Sequence, residues 1–259
     1  MKTGSAGRRE RVSTMLRARR FASIVVVAAL GLGGLAACRS EPSVAAYLGD
    51  RKVTEDQVTQ IFNDAEAGAS ATPAAQEPQP GAEPTKVPGP AVSRQQVVDL
   101  EVTLELGRQV AKEQGVEQVN AVSAEQVATE LGVSATSQYA VDYTEWVNLS
   151  QGIFAKMGTT VPAATDEQLL GIYQALVKVN AIEAGFDLAQ VKQAFGGGEF
   201  VAAAYQLTGL LEKAASASDT SVNPRYLPLA APMVVSSQSG AVFYDLPYLE
   251  GSDTVNDRA

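Results

Sequence analysis

SRQQVVDLEVTLELGRQVAKEQ, residues 93–114, is the stretch that decides the fold of this 259-residue chain. Ser93 is followed three residues later by Gln96, the pattern of a capping box that begins a helix. Such a helix would be apolar around much of its circumference, so it must be covered on several sides. We therefore predict that it lies at the centre of the core. Its apolar positions form two stripes, Val97, Leu100, Leu104 and Ala111, and Val98, Val102, Leu106 and Val110.

Similar helix-start signals occur on both sides of this stretch. At Thr54, Ser123 and Thr165, the Ser or Thr is followed three residues later by Gln, ahead of apolar residues at helical spacing. The chain therefore predicts several further helices around the central one. They begin at Thr54 (ending near Asp64), at Ser123 (ending near Gly132), at Thr136 and at Thr165, with a short one around Val191 and Phe195 and a last one from Phe200 to Lys213.

Extended segments are predicted at the two ends of this helical body. Residues 43–54 form a short strand, a Gly49-Asp50 turn and a second short strand. Residues 222–229 and 241–246 combine prolines with β-branched and aromatic residues. The expected fold is mainly α: a helical bundle with a small sheet formed by short N-terminal and C-terminal extended segments.

Composition divides the chain further. Residues 67–92 hold six of the twelve prolines among Ala, Glu, Gln and Gly, which predicts a disordered insertion. The predicted order is a signal peptide (1–37), a tether (38–43), a strand-turn-strand-helix unit (44–66), the insertion (67–92), a helical body (93–215), an extended segment (216–249) and a disordered tail (250–259).

Residue counts exclude several kinds of function. The chain has no histidine and one cysteine, so it lacks Ser-His-Asp and Cys-His catalytic units and histidine-containing zinc sites. Its 20 basic and 29 acidic side chains give a net charge of -9, which argues against nucleic acid as a partner. We expect no catalytic residues, no metal, no cofactor and no small-molecule substrate.

The first 38 residues have the pattern of a lipoprotein export signal. Seven of the 20 basic residues precede residue 21, and an uncharged apolar run follows over residues 21–37. The run leads into Leu35, Ala36, Ala37 and Cys38, a sequence that resembles the lipobox of bacterial lipoproteins. In that motif the cysteine thiol receives a diacylglyceryl group, the peptide bond before the cysteine is cut, and the new amino terminus is acylated. The alternative is an apolar spanning helix with an incidental cysteine at its end.

Cleavage at that point has consequences for charge and location. Removing 37 of 259 residues leaves 222, and removing seven basic residues and Glu10 leaves 13 basic and 28 acidic side chains, a net charge of -15. A body this acidic is repelled by anionic headgroups. We expect a soluble domain held by lipid on Cys38 at the extracytoplasmic face of the cell membrane.

Three aromatic residues invite two interpretations. Tyr139, Tyr143 and Trp146 lie at i, i+4 and i+7, on one face of a predicted helix. They are candidates for a peptide-binding floor, because aromatic side chains supply a large contact area at little entropic cost. The alternative is ordinary packing against a neighbouring helix.

Residues 44–58, VAAYLGDRKVTEDQV, are similar to the opening of the SurA N-terminal domain family. The Asn223-Pro-Arg-Tyr226 segment resembles actinobacterial lipoproteins of that class, and the resemblance covers residues 43 to about 230. It implies a helical cradle that holds unfolded or partly folded polypeptide, with the first and last extended segments paired in a small sheet. Family members with isomerase activity carry a separate parvulin domain, for which this chain has no room.

The resemblance implies a membrane-anchored holdase that assists the folding or transit of secreted proteins without catalysis. Two alternatives remain open. One is a scaffold lipoprotein that binds a single folded partner in the cell envelope. The other is a prolyl isomerase with an unrecognised site.

Overall fold

The structure, a computed structural model, describes residues 41–71, 92–117, 119–158, 162–196, 198–237 and 240–250. Within these ranges seven α-helices and two small antiparallel sheets confirm the predicted mainly α fold. The helices are α1 Glu55–Ala71, α2 Arg94–Gln114, α3 Ala124–Leu131, α4 Gln138–Met157, α5 Asp166–Lys178, α6 Leu188–Phe195 and α7 Glu199–Ala217, and the strands are β1 Val44–Leu48, β2 Arg51–Thr54, β3 Ser221–Val222, β4 Leu229–Ser237 and β5 Gly240–Leu249.

Helix α2 lies at the centre of the core, as its two stripes predict. Ser93 and Gln96 form the expected capping box, with the Gln96 N–H donating to Ser93 Oγ over 3.2 Å. The helix ends at Gly115, whose positive φ suits glycine. All eight predicted stripe residues are buried, because α2 packs against α1, α4, α7, β1, β2 and β4.

The predicted sheet between the two ends of the body is present. Strand β1 lies between β2 and β3 and pairs antiparallel with both. Ala46 faces Val222 across the β1–β3 pair, and the Asn223 N–H donates to the Ala45 carbonyl over 2.8 Å. Gly49, at φ +59°, makes the turn between β1 and β2. The β1–β3 pairing therefore joins segments that lie more than 170 residues apart in the sequence.

A second sheet was not predicted. Strands β4 and β5 pair with each other as a long antiparallel hairpin, from Leu229 opposite Leu249 to Ser237 opposite Gly240. The hairpin packs on α2, α5 and α7. The extended segment predicted over residues 216–249 is wrong in part. Residues 216–217 are the last two residues of α7, and residues 224–226 form a 3-10 helix.

Some predicted helix ends were wrong by a few residues. Helix α1 continues past Asp64 to Ala71, so residues 67–71 of the predicted insertion are helical. Helix α4 is capped by Ser137 instead of Thr136, because Ser137 Oγ accepts the Ala140 N–H over 3.3 Å. The signal peptide, Cys38, residues 72–91 of the insertion and the tail after Glu250 lie outside the described residues.

The contact of α2 with α4 depends on a glycine. A Cβ placed on Gly107 would lie 2.6 Å from Cζ3 of Trp146, closer than real Cβ atoms come. Gly209 on α7 provides a matched control, since a Cβ there would meet nothing within 4 Å.

We predict that the two Gly→Ala substitutions have opposite effects. Gly107→Ala should lower the free energy of unfolding by about 1–3 kcal/mol, because it overpacks the α2–α4 contact. Gly209→Ala should raise it by about 0.5–1 kcal/mol through helix propensity. Urea denaturation of the full chain measures both, and a Gly107→Ala variant as stable as Gly209→Ala would contradict this packing.

Candidate functional site

The structure places the predicted aromatic stripe inside the core. Tyr139, Tyr143 and Trp146 expose 2%, 3% and 0% of their surface. The Trp146 indole N–H donates to the Pro232 carbonyl of β4 over 2.5 Å. These rings join α4 to its neighbours and do not form an open peptide-binding floor, which corrects the binding role proposed from sequence.

The aromatic stripe nevertheless contacts a residue that lines an open groove. Tyr143 meets Phe243 of β5 edge-on, with ring centroids 5.6 Å apart. Phe243 in turn lines a cleft of about 420 Å³ between α3, α4 and the β4–β5 hairpin, which we call the hairpin groove. Tyr143 therefore lies in the core, while Phe243, which packs against it, lines the groove at the surface.

The hairpin groove combines an apolar lining with a polar rim. The apolar lining comes from the loop before α3, from α3, from α4 and from both hairpin strands: Val122, Val127, Val147, Val234, Ala241 and Phe243. The rim is a strip of α3, made by Glu125, Gln126, Thr129 and Glu130. Such a surface suits an apolar chain segment whose flanks stay in water.

A second apolar groove lies on the hairpin toward α7. It holds about 270 Å³ and shares Val234 with the hairpin groove. Phe154 of α4, Phe200 of α7 and Tyr244 of β5 contribute its aromatic surface. The hairpin thus carries apolar concave surface both toward α3 and toward α7.

A third cavity is polar and contains a pair of buried carboxyl groups. It holds about 520 Å³ between β2, α1, α2 and α4. Glu101 of α2 and Asp142 of α4 expose only 5% and 8% of their surface and hydrogen-bond each other. We call this space the carboxyl cavity.

Burial raises the pKa of both carboxyl groups in this cavity. Burial, reinforced by the neighbouring Asp142, raises the pKa of Glu101 to about 7. Burial also raises the pKa of Asp142, while hydrogen bonds from Gln138 and Glu101 oppose that rise. Glu101 therefore keeps its proton below about pH 7 and can donate a hydrogen bond to Asp142 there, and it loses that proton as the pH rises past 7.

Nearby amides and arginines bind these two carboxyl groups and the neighbouring glutamates. Gln57 Nε2 donates to Glu101 over 2.9 Å, and Gln138 Nε2 donates to Asp142 over 2.9 Å. Arg51 bridges Glu101 and Glu105, and Arg108 binds Glu145 through two N–H donors at 2.7 Å each. The network links β2, α1, α2 and α4 and makes the packing of these elements sensitive to pH.

A further buried carboxylate fixes the start of the hairpin. Asp99 of α2 accepts the Ala230 N–H over 3.1 Å and the Gln95 side-chain N–H over 2.9 Å. Burial raises the pKa of Asp99 to about 7, against the lowering effect of those hydrogen bonds. Gln95 also donates to the Tyr226 carbonyl over 3.0 Å. The polar positions of α2 therefore hold the chain entering β4.

Sequence reasoning missed both the carboxyl cavity and the hairpin groove. A signal for the buried carboxyls existed, because Asp99 and Glu101 lie in a helix that is apolar around most of its circumference. No comparable signal marks the groove, whose lining comes from segments more than 80 residues apart, such as Val147 and Val234.

The predicted lipidation site precedes the first residue that the structure describes. Leu35, Ala36, Ala37 and Cys38 lie outside the described residues. Among the residues that the structure describes, no helix is long and apolar enough to cross a membrane. Within the same residues no group of three or more Cys, Asp or Glu side chains is arranged to hold a metal ion.

Comparisons of the chain with protein-family models, with curated proteins and with solved structures found no match.

We predict that Glu101→Gln changes the pH dependence of stability. The folded chain keeps the Glu101 proton up to about pH 7, whereas the unfolded chain releases it near pH 4.5. Unfolding thus releases a proton between these values, so the contribution of Glu101 to stability falls as pH rises through them. Glutamine stays neutral and can still donate to Asp142.

The wild-type free energy of unfolding should therefore fall relative to that of Glu101→Gln as pH rises from 4.5 to about 7. The difference between the two free energies should change by at most about 1.4 kcal/mol per pH unit, the value for release of one proton on unfolding. Denaturant titrations at several pH values measure it. Parallel pH profiles for the two proteins would show that Glu101 ionises normally.

Proposed function

We propose that this protein is a lipid-anchored, extracytoplasmic holdase that binds exposed apolar segments of unfolded or partly folded secreted polypeptides. The observation that carries the proposal is the hairpin groove, an open cleft of about 420 Å³ with an apolar lining and a polar rim. The similarity of residues 44–58 to the SurA N-terminal domain family supports the same activity. So does the β1–β3 pairing that this similarity implies.

The size of the groove suits a short chain segment. A cleft of 300–1,000 Å³ accepts a ligand of a few hundred daltons, which corresponds to a few residues. Burying two or three Val, Leu or Phe side chains contributes about 3–9 kcal/mol, and ordering each side chain costs about 0.5–1.5 kcal/mol. Affinities in the micromolar range or weaker follow, and these suit a holdase that must release its client.

The proposed anchor is the lipid on Cys38. Residues 39–43 separate it from β1 and span at most about 17 Å. Two or more acyl chains hold a protein firmly on a bilayer, while the acidic body is repelled by anionic headgroups. The hairpin groove would then work close to the membrane from which secreted chains emerge.

Filling the groove should abolish client binding. Ala241 lies exposed on β5 in the groove lining, so Ala241→Trp occupies the space without removing a buried contact. We expect at least a tenfold loss of affinity for a labelled apolar peptide by fluorescence anisotropy. Suppression of the aggregation of a denatured model protein should fall in parallel.

Gln193→Trp is the matched control for that substitution. Gln193 is an exposed, uncharged position on α6 and lines none of the described grooves. This variant should bind and protect like the wild type. Equal activity of the wild type and Ala241→Trp would rule out the hairpin groove as the binding site. A wild type that neither binds the peptide nor suppresses aggregation would contradict the holdase proposal.

Replacing Cys38 by Ala tests the anchor separately. The variant should move from the membrane fraction to the soluble fraction of the cell envelope, because its only acylation site is lost. Fractionation with immunoblotting, together with incorporation of labelled fatty acid, measures the change. Retention of Cys38→Ala in the membrane with unchanged labelling would contradict lipid anchoring at this residue.

A further inference from the structure

We propose that the hairpin groove selects apolar segments that are flanked by Lys or Arg. This inference rests on the proposed function and specifies the client chemistry of the same groove. It depends on the charge of the rim and of the elements around it.

The rim is acidic where it meets water. Positions 125, 126, 129 and 130 of α3 repeat at helical spacing and form one strip along the groove. Glu125 and Glu130 are exposed, and neither makes a salt bridge with a described residue. Hydrogen bonds from its own backbone and from Ser123 lower the pKa of Glu125, which keeps it ionised. The rim therefore offers two carboxylates to a bound chain.

Apart from Lys156 in the last turn of α4, the elements that form the groove carry no Lys or Arg. The sequence contains neither Lys nor Arg from Glu113 to Ala155, which covers α3 and nearly all of α4. It contains none from Tyr226 to Glu250, which covers the hairpin. Arg108 does reach α4, but Glu145 holds its guanidinium in a bidentate pair. A basic ligand can therefore pair with Glu125 and Glu130 without competition from Lys or Arg of α3 or the hairpin.

Charge and apolar lining together define the preferred ligand. Apolar side chains enter the groove, and basic residues on either side of them reach the carboxylates of α3. Exposed ion pairs contribute modestly, so each flank should change affinity by about threefold and two flanks by about tenfold. The effect should weaken with salt, because the Debye length is only about 8 Å at physiological ionic strength.

Three peptides with one apolar centre and different flanks test this inference on the full chain. The flanks are two Lys, two Ser or two Glu on each side, and fluorescence anisotropy gives the affinities at low and high salt. The Lys-flanked peptide should bind about tenfold more tightly than the Ser-flanked one at low salt, and the Glu-flanked one more weakly than both. High salt should bring the three together.

A pair of double variants assigns the effect to the rim. Glu125→Gln with Glu130→Gln should bind all three peptides with similar affinity. Glu183→Gln with Glu212→Gln removes the same charge from exposed positions outside the groove and should keep the preference. A preference that survives in the first variant and vanishes in the second would overturn the rim assignment.

The outcomes separate this inference from the proposed function. Equal binding of all three peptides by the wild type would overturn the charge selectivity while the holdase proposal stands. Binding of none of them would overturn both.

Discussion

The fold depends on covering one helix on every side. Helix α2 is buried along most of its length, including its polar residues Asp99, Glu101 and Thr103. An amphipathic surface helix needs one partner, but a helix apolar all round must be enclosed. Strands β1 and β2, the helices α1, α4 and α7, and strand β4 each cover part of its surface. The antiparallel pairing of β1 with β3 then joins the start of this enclosure to the segment that follows α7.

The same constraint explains where the surface remains open. Asp99 fixes the start of β4, the Trp146 indole fixes Pro232, and Thr103 Oγ1 hydrogen-bonds the Tyr248 hydroxyl over 3.2 Å. The hairpin is therefore held on α2 and α4 along one face. Two grooves lie beside it: Val234 lines both, and Phe243 lines the groove toward α3. Core packing positions the hairpin and leaves the apolar clefts beside it.

Local sequence rules predicted the helices, and they could not predict the hairpin or its groove. Capping boxes at Ser93, Ser123 and Thr165 fixed helix starts because the Gln side chain and the cap interact within one turn. Residues 229–249 gave a weaker signal, since Pro232 and Pro247 interrupt the alternation expected of strands. The aromatic stripe showed that one face of α4 is apolar, but sequence alone could not decide between core and cleft.

The central claim is that polypeptide binds in the hairpin groove, and methyl NMR of the full chain tests it most directly. With valine and leucine methyls labelled, titration with an apolar peptide should shift the signals of Val127, Val147 and Val234 first. Leu104, which lines the carboxyl cavity, should stay unchanged. Binding accompanied by shifts at Leu104, with the three valines unaffected, would contradict the account.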